Sequence, residues 1–226
     1  MFQTGCFGHA APRMKSTKQI RGLYAITPDE PNTPALLRDT GLALRGGARV
    51  IQYRNKSADA ALRLLQAAAL RKLTRQFAAT FIVNDDAQLA ARVDADGVHL
   101  GAEDGGVERA RQVLGGNKLI GISCYNRLPL AHDAAAAGAD YVAFGAFFCS
   151  GIKPDAVRAE LALLRQARAE LQLPLVAIGG VTPANARVLL EAGADALAVI
   201  SAVFNEADIQ TAAVQFSQLF VQESKL

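Results

Sequence analysis

Short apolar runs recur along the chain, and most of them stop at a residue that can do chemistry. Val50-Ile51 leads into Gln52, Arg54 and Lys56. Phe81-Ile82-Val83 leads into Asn84, Asp85 and Asp86, and Gly97-Val98 into His99, Glu103 and Asp104. The run Leu119 to Ile122 stops at Ser123, and Tyr141 to Phe144 precedes Ser150 and Lys153. Val176-Ala177-Ile178 stops at Gly179-Gly180, and Ala198-Val199-Ile200 at Ser201. Apolar residues on consecutive positions suit strands covered on both faces. The pattern predicts strands at 22–27, 50–53, 80–83, 97–100, 119–123, 141–145, 175–178 and 196–200. Between them it predicts helices near 33–45, 57–77, 86–93, 105–114, 129–137, 155–171, 183–192 and 206–224. Thr33-Pro34 and Thr182-Pro183 read as an N-cap followed by a first-turn proline, and Ser57 as the cap of the second helix.

One joint repeats. Gly138-Ala139-Asp140 and Gly193-Ala194-Asp195 each open an apolar strand, with Gly47-Ala48-Arg49 and Asp94-Ala95-Asp96 as looser versions. At each, a helix ends, the chain turns tightly and a strand begins. Eight such strand–helix units predict a single (β/α)8 TIM barrel over 20–226, in preference to an open doubly wound sheet. In a barrel the polar residues that follow the strands collect at one end, where seven stretches would line one pocket.

Composition narrows the function classes. The chain is 51% apolar and 20% charged, which fits a globular protein. Its net charge of +3 is concentrated early, because Arg13, Lys15, Lys18 and Arg21 all precede the first acid, Asp29. Without those four, 20 basic residues face 21 acidic ones. The body therefore carries no nucleic-acid footprint. No apolar run reaches the ~18 residues of a membrane helix. Residues 1–19 lack a signal peptide's apolar core and predict a disordered arm. Cys6, Cys124 and Cys149 form no C-x-x-C motif and fit a reducing, cytoplasmic setting. The oligomeric state is left open, homo-oligomers included.

The candidate chemistry is that of phosphates. Gly180, after the seventh strand, and Ile200-Ser201, after the eighth, occupy the two loops from which barrels build phosphate sites out of backbone N–H groups. Alternation after the second strand would put Gln52, Arg54 and Lys56 on one side, where two cations suit a diphosphate. Asp85 and Asp104 offer hard oxygen ligands at neighbouring strand ends, as Mg2+ bound to a diphosphate requires. Asp86 is expected to cap a helix, and His99 to be a packed, supporting residue. Lys153 reads as a Schiff-base nucleophile, a phosphate ligand or a solvent residue. Ser123 has neither a G-x-S-x-G elbow nor an evident base, which argues against a hydrolase triad.

Taken together, Leu23 to Thr27, IQYRNK (51–56), VNDD (83–86), DGVHLGAED (96–104), IGIS (120–123), AGADYVAFG (137–145), Lys153, VAIGGV (176–181) and AGADALAVISAVF (192–204) resemble the thiamine phosphate synthase family. The resemblance spans about 22–204 in order. It implies a barrel that joins hydroxymethylpyrimidine diphosphate to a thiazole phosphate and releases pyrophosphate through a pyrimidine carbocation. It further implies that Gln52, Arg54, Lys56, Asn84 and Lys153 hold the diphosphate, and that Asp85 and Asp104 bind Mg2+. Ser123 would contact the pyrimidine or the departing pyrophosphate, so that Ser123 and Lys153 carry the catalytic roles. Gly180, Ile200 and Ser201 would present backbone groups to the thiazole phosphate. The family's loop G-P-x-x-x-T-x-T-K reads here as Gly145 to Lys153, with Ser150 replacing one hydroxyl and Ile152 standing where the other belongs. The related thiazole tautomerases often carry a histidine where this chain has Tyr125, and they tend to lose the diphosphate ligands. A tautomerase-type isomerase and a non-catalytic phosphate-binding barrel are the alternatives, and neither needs the cations at 54 and 56.

Overall fold

The structure is a computed structural model that describes residues 19–101, 104–149 and 158–222. Eight parallel strands close into a barrel in chain order. They are β1 (Gly22–Ile26), β2 (Val50–Tyr53), β3 (Thr80–Asn84), β4 (Gly97–Leu100), β5 (Leu119–Tyr125), β6 (Tyr141–Phe144), β7 (Leu175–Ile178) and β8 (Ala196–Val199). Around them run α1 (Thr33–Arg45), α2 (Ala60–Gln76), α3 (Ala87–Arg92), α4 (Gly106–Leu114), α5 (Leu128–Ala136), α6 (Leu161–Glu170), α7 (Arg187–Glu191), α8 (Ser201–Phe204) and α9 (Ile209–Gln222). The barrel agrees with the pattern of apolar runs, and each strand lies within two residues of its expected bounds.

Two apolar cores follow from the alternation of the strands. Leu23, Ala25, Ile51, Phe81, Val83, Val98, Ile120, Val142 and Leu197 pack outward against the helices. Tyr24, Ile26, Val50, Ile82, Tyr141, Ala143, Val176, Ala196 and Ala198 form a separate cluster inside the barrel. Gly121 belongs to this interior. A Cβ there would land on the ring of Tyr141, so glycine is what lets that ring cross the barrel.

The repeated joint has a physical role. Its first residue takes a positive φ, +99° at Gly47, +52° at Asp94, +88° at Gly138 and +106° at Gly193. Its middle alanine is buried in all four cases. At three joints the closing Asp accepts the N–H of a residue in the preceding strand: Asp96 from Phe81 at 2.8 Å, Asp140 from Ile120 at 2.9 Å and Asp195 from Leu175 at 2.8 Å. Each of these carboxylates also pairs with an arginine of the helix that leads into the first of the two strands, Arg71 of α2 at 2.9 Å, Arg111 of α4 at 2.8 Å and Arg168 of α6 at 3.4 Å. One Asp–Arg pair thus ties a helix to two strands, three times around the barrel.

Several helix ends depart from expectation. The cap of α1 is Asn32, whose side chain accepts from the Ala35 N–H at 2.9 Å, and Thr33 is already helical. The cap of α2 is Asp59 rather than Ser57, whose hydroxyl donates to Asn55 instead. Thr182-Pro183 opens no helix; the Thr182 N–H donates to Asn185 Oδ1 in a turn and α7 begins only at Arg187. The helix expected at 206–224 is α9, capped by Asp208 through the Thr211 N–H, and α8 is an additional turn ahead of it that the pattern does not predict. The expected arm at 1–19 lies, but for Gln19, outside the described residues, as do Glu103, Ser150, Ile152 and Lys153.

Candidate active site

Because all strands run the same way, their C-terminal ends and the loops that follow share one face, where barrel enzymes place their chemistry. β2 stops at Tyr53, so strand alternation does not reach Arg54 and Lys56. Gln52 alone faces the barrel interior, and the two cations stand in the loop above it. A carboxylate from the β1–α1 loop holds that loop: Asp29 Oδ1 accepts from Arg54 Nη1 at 3.0 Å and from the Lys56 backbone N–H at 3.0 Å. Thr27, fully buried, exchanges hydrogen bonds of 3.0 Å with the Arg54 backbone. Asn55 and Gln66 both donate to the Glu30 carbonyl, at 3.0 and 2.8 Å. The cleft between the ends of β2 and β3 is lined by Arg54, Lys56, Arg63, Asn84 and Asp85. Arg63 comes from the first turn of α2 and was not singled out from the sequence. Nothing in a helical stretch marks which arginine will lean over a neighbouring strand.

Asp85 and Asp86 part company as expected. Asp86 caps α3 by accepting from the Leu89 N–H at 2.9 Å. Asp85 sits at φ +64° with its N–H bonded to the His99 carbonyl at 2.8 Å, which turns its side chain toward β4. Burial first, and the neighbouring Asp104 carboxyl second, push its pKa up, while Lys56, 3.7 Å away, pulls it down. Asp104 is fixed by the Gly101 N–H at 2.6 Å. Asp85, its charge opposed by burial and by the neighbouring carboxyl, stands with Asp104 beside cations as an oxygen donor set that suits a hard divalent cation. Among the described residues no cluster of three or more His, Cys, Asp or Glu could hold a metal. Among the described residues, Asp85 and Asp104 are the carboxyls placed to meet a cation here.

Under the mouth lies a chain of hydrogen bonds. The Tyr24 hydroxyl donates to Gln52 Oε1 at 2.6 Å, and Gln52 Nε2 donates to Asn84 Oδ1 at 2.6 Å. On its other side the Tyr24 hydroxyl meets the Tyr141 hydroxyl at 2.9 Å, which lies 3.1 Å from His99 Nδ1. His99 Nε2 in turn lies 2.9 Å from Ser123 Oγ. The chain links β3, β2, β1, β6, β4 and β5. Ser123 thus has an imidazole beside it, contrary to the expectation that it lacks a base. Among the described residues there is still no triad, because the far nitrogen of His99 meets the Tyr141 hydroxyl in the place a triad gives to a carboxylate. Burial holds the His99 pKa down at about 4, so the ring is neutral. Burial pushes the Tyr24 and Tyr141 hydroxyls well above the usual tyrosine range, so both keep their protons.

The loops after β7 and β8 complete the face. Gly180 has φ +64°, and a Cβ there would strike the Cys149 carbonyl, so only glycine lets this loop lie against the loop after β6. Its carbonyl accepts from Asn185 Nδ2 at 3.0 Å. Ile200 precedes the first turn of α8 and Ser201 opens it, so the N–H groups of that turn face the same end of the barrel. Of the expected site residues, the structure thus gathers Gln52, Arg54, Lys56, Asn84, Asp85, Asp104, Ser123, Gly180, Ile200 and Ser201 on one face.

Comparison with known proteins shows which family the chain resembles and that the barrel is shared. The sequence model of the family described as "Thiamine monophosphate synthase" matches residues 23–203. The "Thiamine-phosphate synthase" of Methylobacillus flagellatus is 56% identical over 205 residues, covering 91% of this chain and 98% of that protein. That of Thiobacillus denitrificans is 50% identical over 202 residues, covering 89% and 96%. Among solved structures, the thiamine phosphate pyrophosphorylase of Pyrococcus furiosus superposes with a TM-score of 0.81 at 37% identity, covering 89% of this chain and 96% of that one.

Proposed function

The chain belongs to the thiamine monophosphate synthase family and is a transferase, and from that premise we propose that it joins hydroxymethylpyrimidine diphosphate to a thiazole phosphate, with Mg2+, by a dissociative route. The observation that carries the reading is the Asp85–Asp104 pair beside Arg54 and Lys56 at the mouth of the barrel. Two carboxylates and two cations at neighbouring strand ends match a metal-bound diphosphate and have no use in a site that takes only a monophosphate.

In this reading Arg54, Lys56, Asn84 and Lys153 hold the diphosphate. Gln52 is nearly buried and supports Asn84 from below. Arg54 keeps one edge of its guanidinium on Asp29, which aims the remaining N–H groups into the cleft. Mg2+, when bound by Asp85 and Asp104, would offset the charge that accumulates on the leaving diphosphate. The carbon–oxygen bond breaks with its electron pair leaving on the diphosphate, and the pyrimidine methylene becomes a cation. The thiazole nitrogen then supplies the pair for the new carbon–nitrogen bond. Lys153 opposes charge that grows in the transition state, and Ser123 contacts the pyrimidine, which are their catalytic roles. Gly180, Ile200 and Ser201 offer backbone N–H groups to the thiazole phosphate, and the Ser150 hydroxyl is a further expected contact of that substrate.

Calorimetric titration with the pyrimidine diphosphate tests the site. Affinity should fall at least ~10-fold in EDTA, and similarly in Asp104→Asn, because two carboxylates supply all the protein oxygens expected to hold the metal. Affinity indifferent to Mg2+ would remove the metal from the reading, and no affinity at all would remove the diphosphate.

A further inference from the structure

The chain of hydrogen bonds beneath the site has a direction, and the orientation of one member, the Gln52 amide, sets that of all the others. The Gln52 amide oxygen can only accept, so the single hydroxyl hydrogen of Tyr24 is committed to it. At the 2.9 Å contact between the two tyrosines, Tyr141 must therefore be the donor. With its hydrogen used, the Tyr141 oxygen accepts from His99 Nδ1, which carries the ring proton. A neutral imidazole has one N–H, so Nε2 accepts and Ser123 donates to it. Only lone pairs then remain on Ser123 for a ligand. At the opposite end Asn84 accepts through Oδ1 from Gln52, and its outward-facing group is the donor Nδ2.

The four middle members are sealed off, with Tyr24 at 1%, Gln52 at 4%, Tyr141 at 0% and His99 at 8% exposure. Asn84 and Ser123, the two ends, are half-buried and open toward the site. The only other arrangement that satisfies every member is the complete reversal. In it Asn84 shows its carbonyl outward, each proton along the chain changes side, and Ser123 becomes a donor. A mixture of the two leaves a buried donor facing a donor or an acceptor facing an acceptor.

We propose that these six side chains form a polarised relay that couples the two ends of one ligand: an anionic acceptor at Asn84 makes Ser123 an acceptor, so the site selects a ring that donates at Ser123. The inference rests on the proposed binding of a pyrimidine diphosphate here, and it adds a basis for choosing the ring. A diphosphate oxygen is the acceptor at one end. The exocyclic amino group of an aminopyrimidine is the matching donor at the other, and a ring carbonyl in its place would face the Ser123 lone pairs. Tyr24, Tyr141 and His99 touch no ligand in this arrangement and are positioning residues.

The test uses the full chain with Mg2+ and two probes, the aminopyrimidine diphosphate and its counterpart with a ring carbonyl in place of the amino group. Wild type should prefer the amino compound by at least ~100-fold, since a site built around a hydrogen bond rejects the mismatched group. Tyr24→Phe removes the acceptor for the Tyr141 hydrogen, which can then turn to His99 Nδ1 and free Ser123 to donate. The preference should fall at least ~10-fold relative to wild type, and Tyr141→Phe should lower it too by freeing the His99 tautomer. Nitrogen-15 NMR reads the relay with inorganic pyrophosphate and Mg2+ supplying the anion at Asn84: His99 should then be protonated at Nδ1 in wild type and shift toward Nε2 in Tyr24→Phe. An unchanged preference in the folded variants, or an Nε2-protonated His99 in wild type, overturns the relay. If wild type binds neither diphosphate, the functional reading falls, and the tautomer measurement still decides whether the chain is polarised as inferred.

Discussion

Asp85 is a residue whose surroundings oppose its own charge. Its folded pKa is raised by burial and by Asp104, so at neutral pH the ionised side chain costs stability, and that cost appears as pH rises from the unfolded pKa through the folded one. Asp85→Asn, a type that tolerates positive φ, should raise the melting temperature at neutral pH without metal and abolish stabilisation by Mg2+. A melting temperature that drops, or still responds to Mg2+, would contradict this role. His99 runs the other way. Its folded pKa of about 4 lies below that of an unfolded histidine, so the unfolded chain takes up a proton that the folded chain refuses. Stability attributable to His99 is complete above about pH 6.5 and is lost as pH falls toward 4, by up to roughly 3 kcal/mol. Denaturant titrations from pH 7 to 4.5 should show a shallower decline in His99→Asn than in wild type, whatever its stability at pH 7. Equal slopes would place the acid sensitivity elsewhere.

At the level of elements, the Asp–Arg pairs of the repeated joint should differ in weight according to burial. Arg71 and Asp96 are each only 10% exposed, and the guanidinium is bidentate, at 2.9 and 3.1 Å. Asp96→Ala leaves the buried guanidinium to the exposed Asp94, 3.8 Å away, strands the Phe81 N–H, and should cost about 3 kcal/mol. Arg168 and Asp195 are 37% and 34% exposed, and Asp195→Ala should cost about 1–2 kcal/mol. Urea denaturation of both variants checks the order, and a reversed order would show that burial does not set the strength of these clamps. The joint itself was readable, because a small residue, an alanine and a charge recur where the geometry demands them. Helix starts were less so. Ser57 and Asp59 are both good caps, and Asp59 holds the position because its carboxylate meets the Leu62 N–H at 2.8 Å while the Ser57 hydroxyl is committed to Asn55. The single turn of α8 at Ser201–Phe204 was not readable either, because four residues are too few for an apolar period to show.

For the whole molecule, the barrel and the face that bears the site were legible because parallel strands bring every strand-end residue to one place. The cations at 54 and 56, the acids at 85 and 104 and the glycine at 180 therefore fell together as expected. What lay hidden is the relay. Tyr24 and Tyr141 sit inside apolar strands, where an aromatic reads as packing, and they are 117 residues apart. Their hydroxyls acquire meaning only when closure sets β1 opposite β6 across the interior. His99 read as a supporting residue, but its contact with Ser123 depends on the register of β4 against β5, which no local pattern encodes. The account stands on the proposal that this face performs a metal-assisted transfer from a diphosphate. The most direct measurement is an initial-rate assay with the pyrimidine diphosphate, the thiazole phosphate and Mg2+. Thiamine phosphate and pyrophosphate should appear in equal amounts and cease on addition of EDTA. Pyrophosphate without thiamine phosphate, or conversion of a thiazole phosphate with no requirement for the diphosphate, would contradict it.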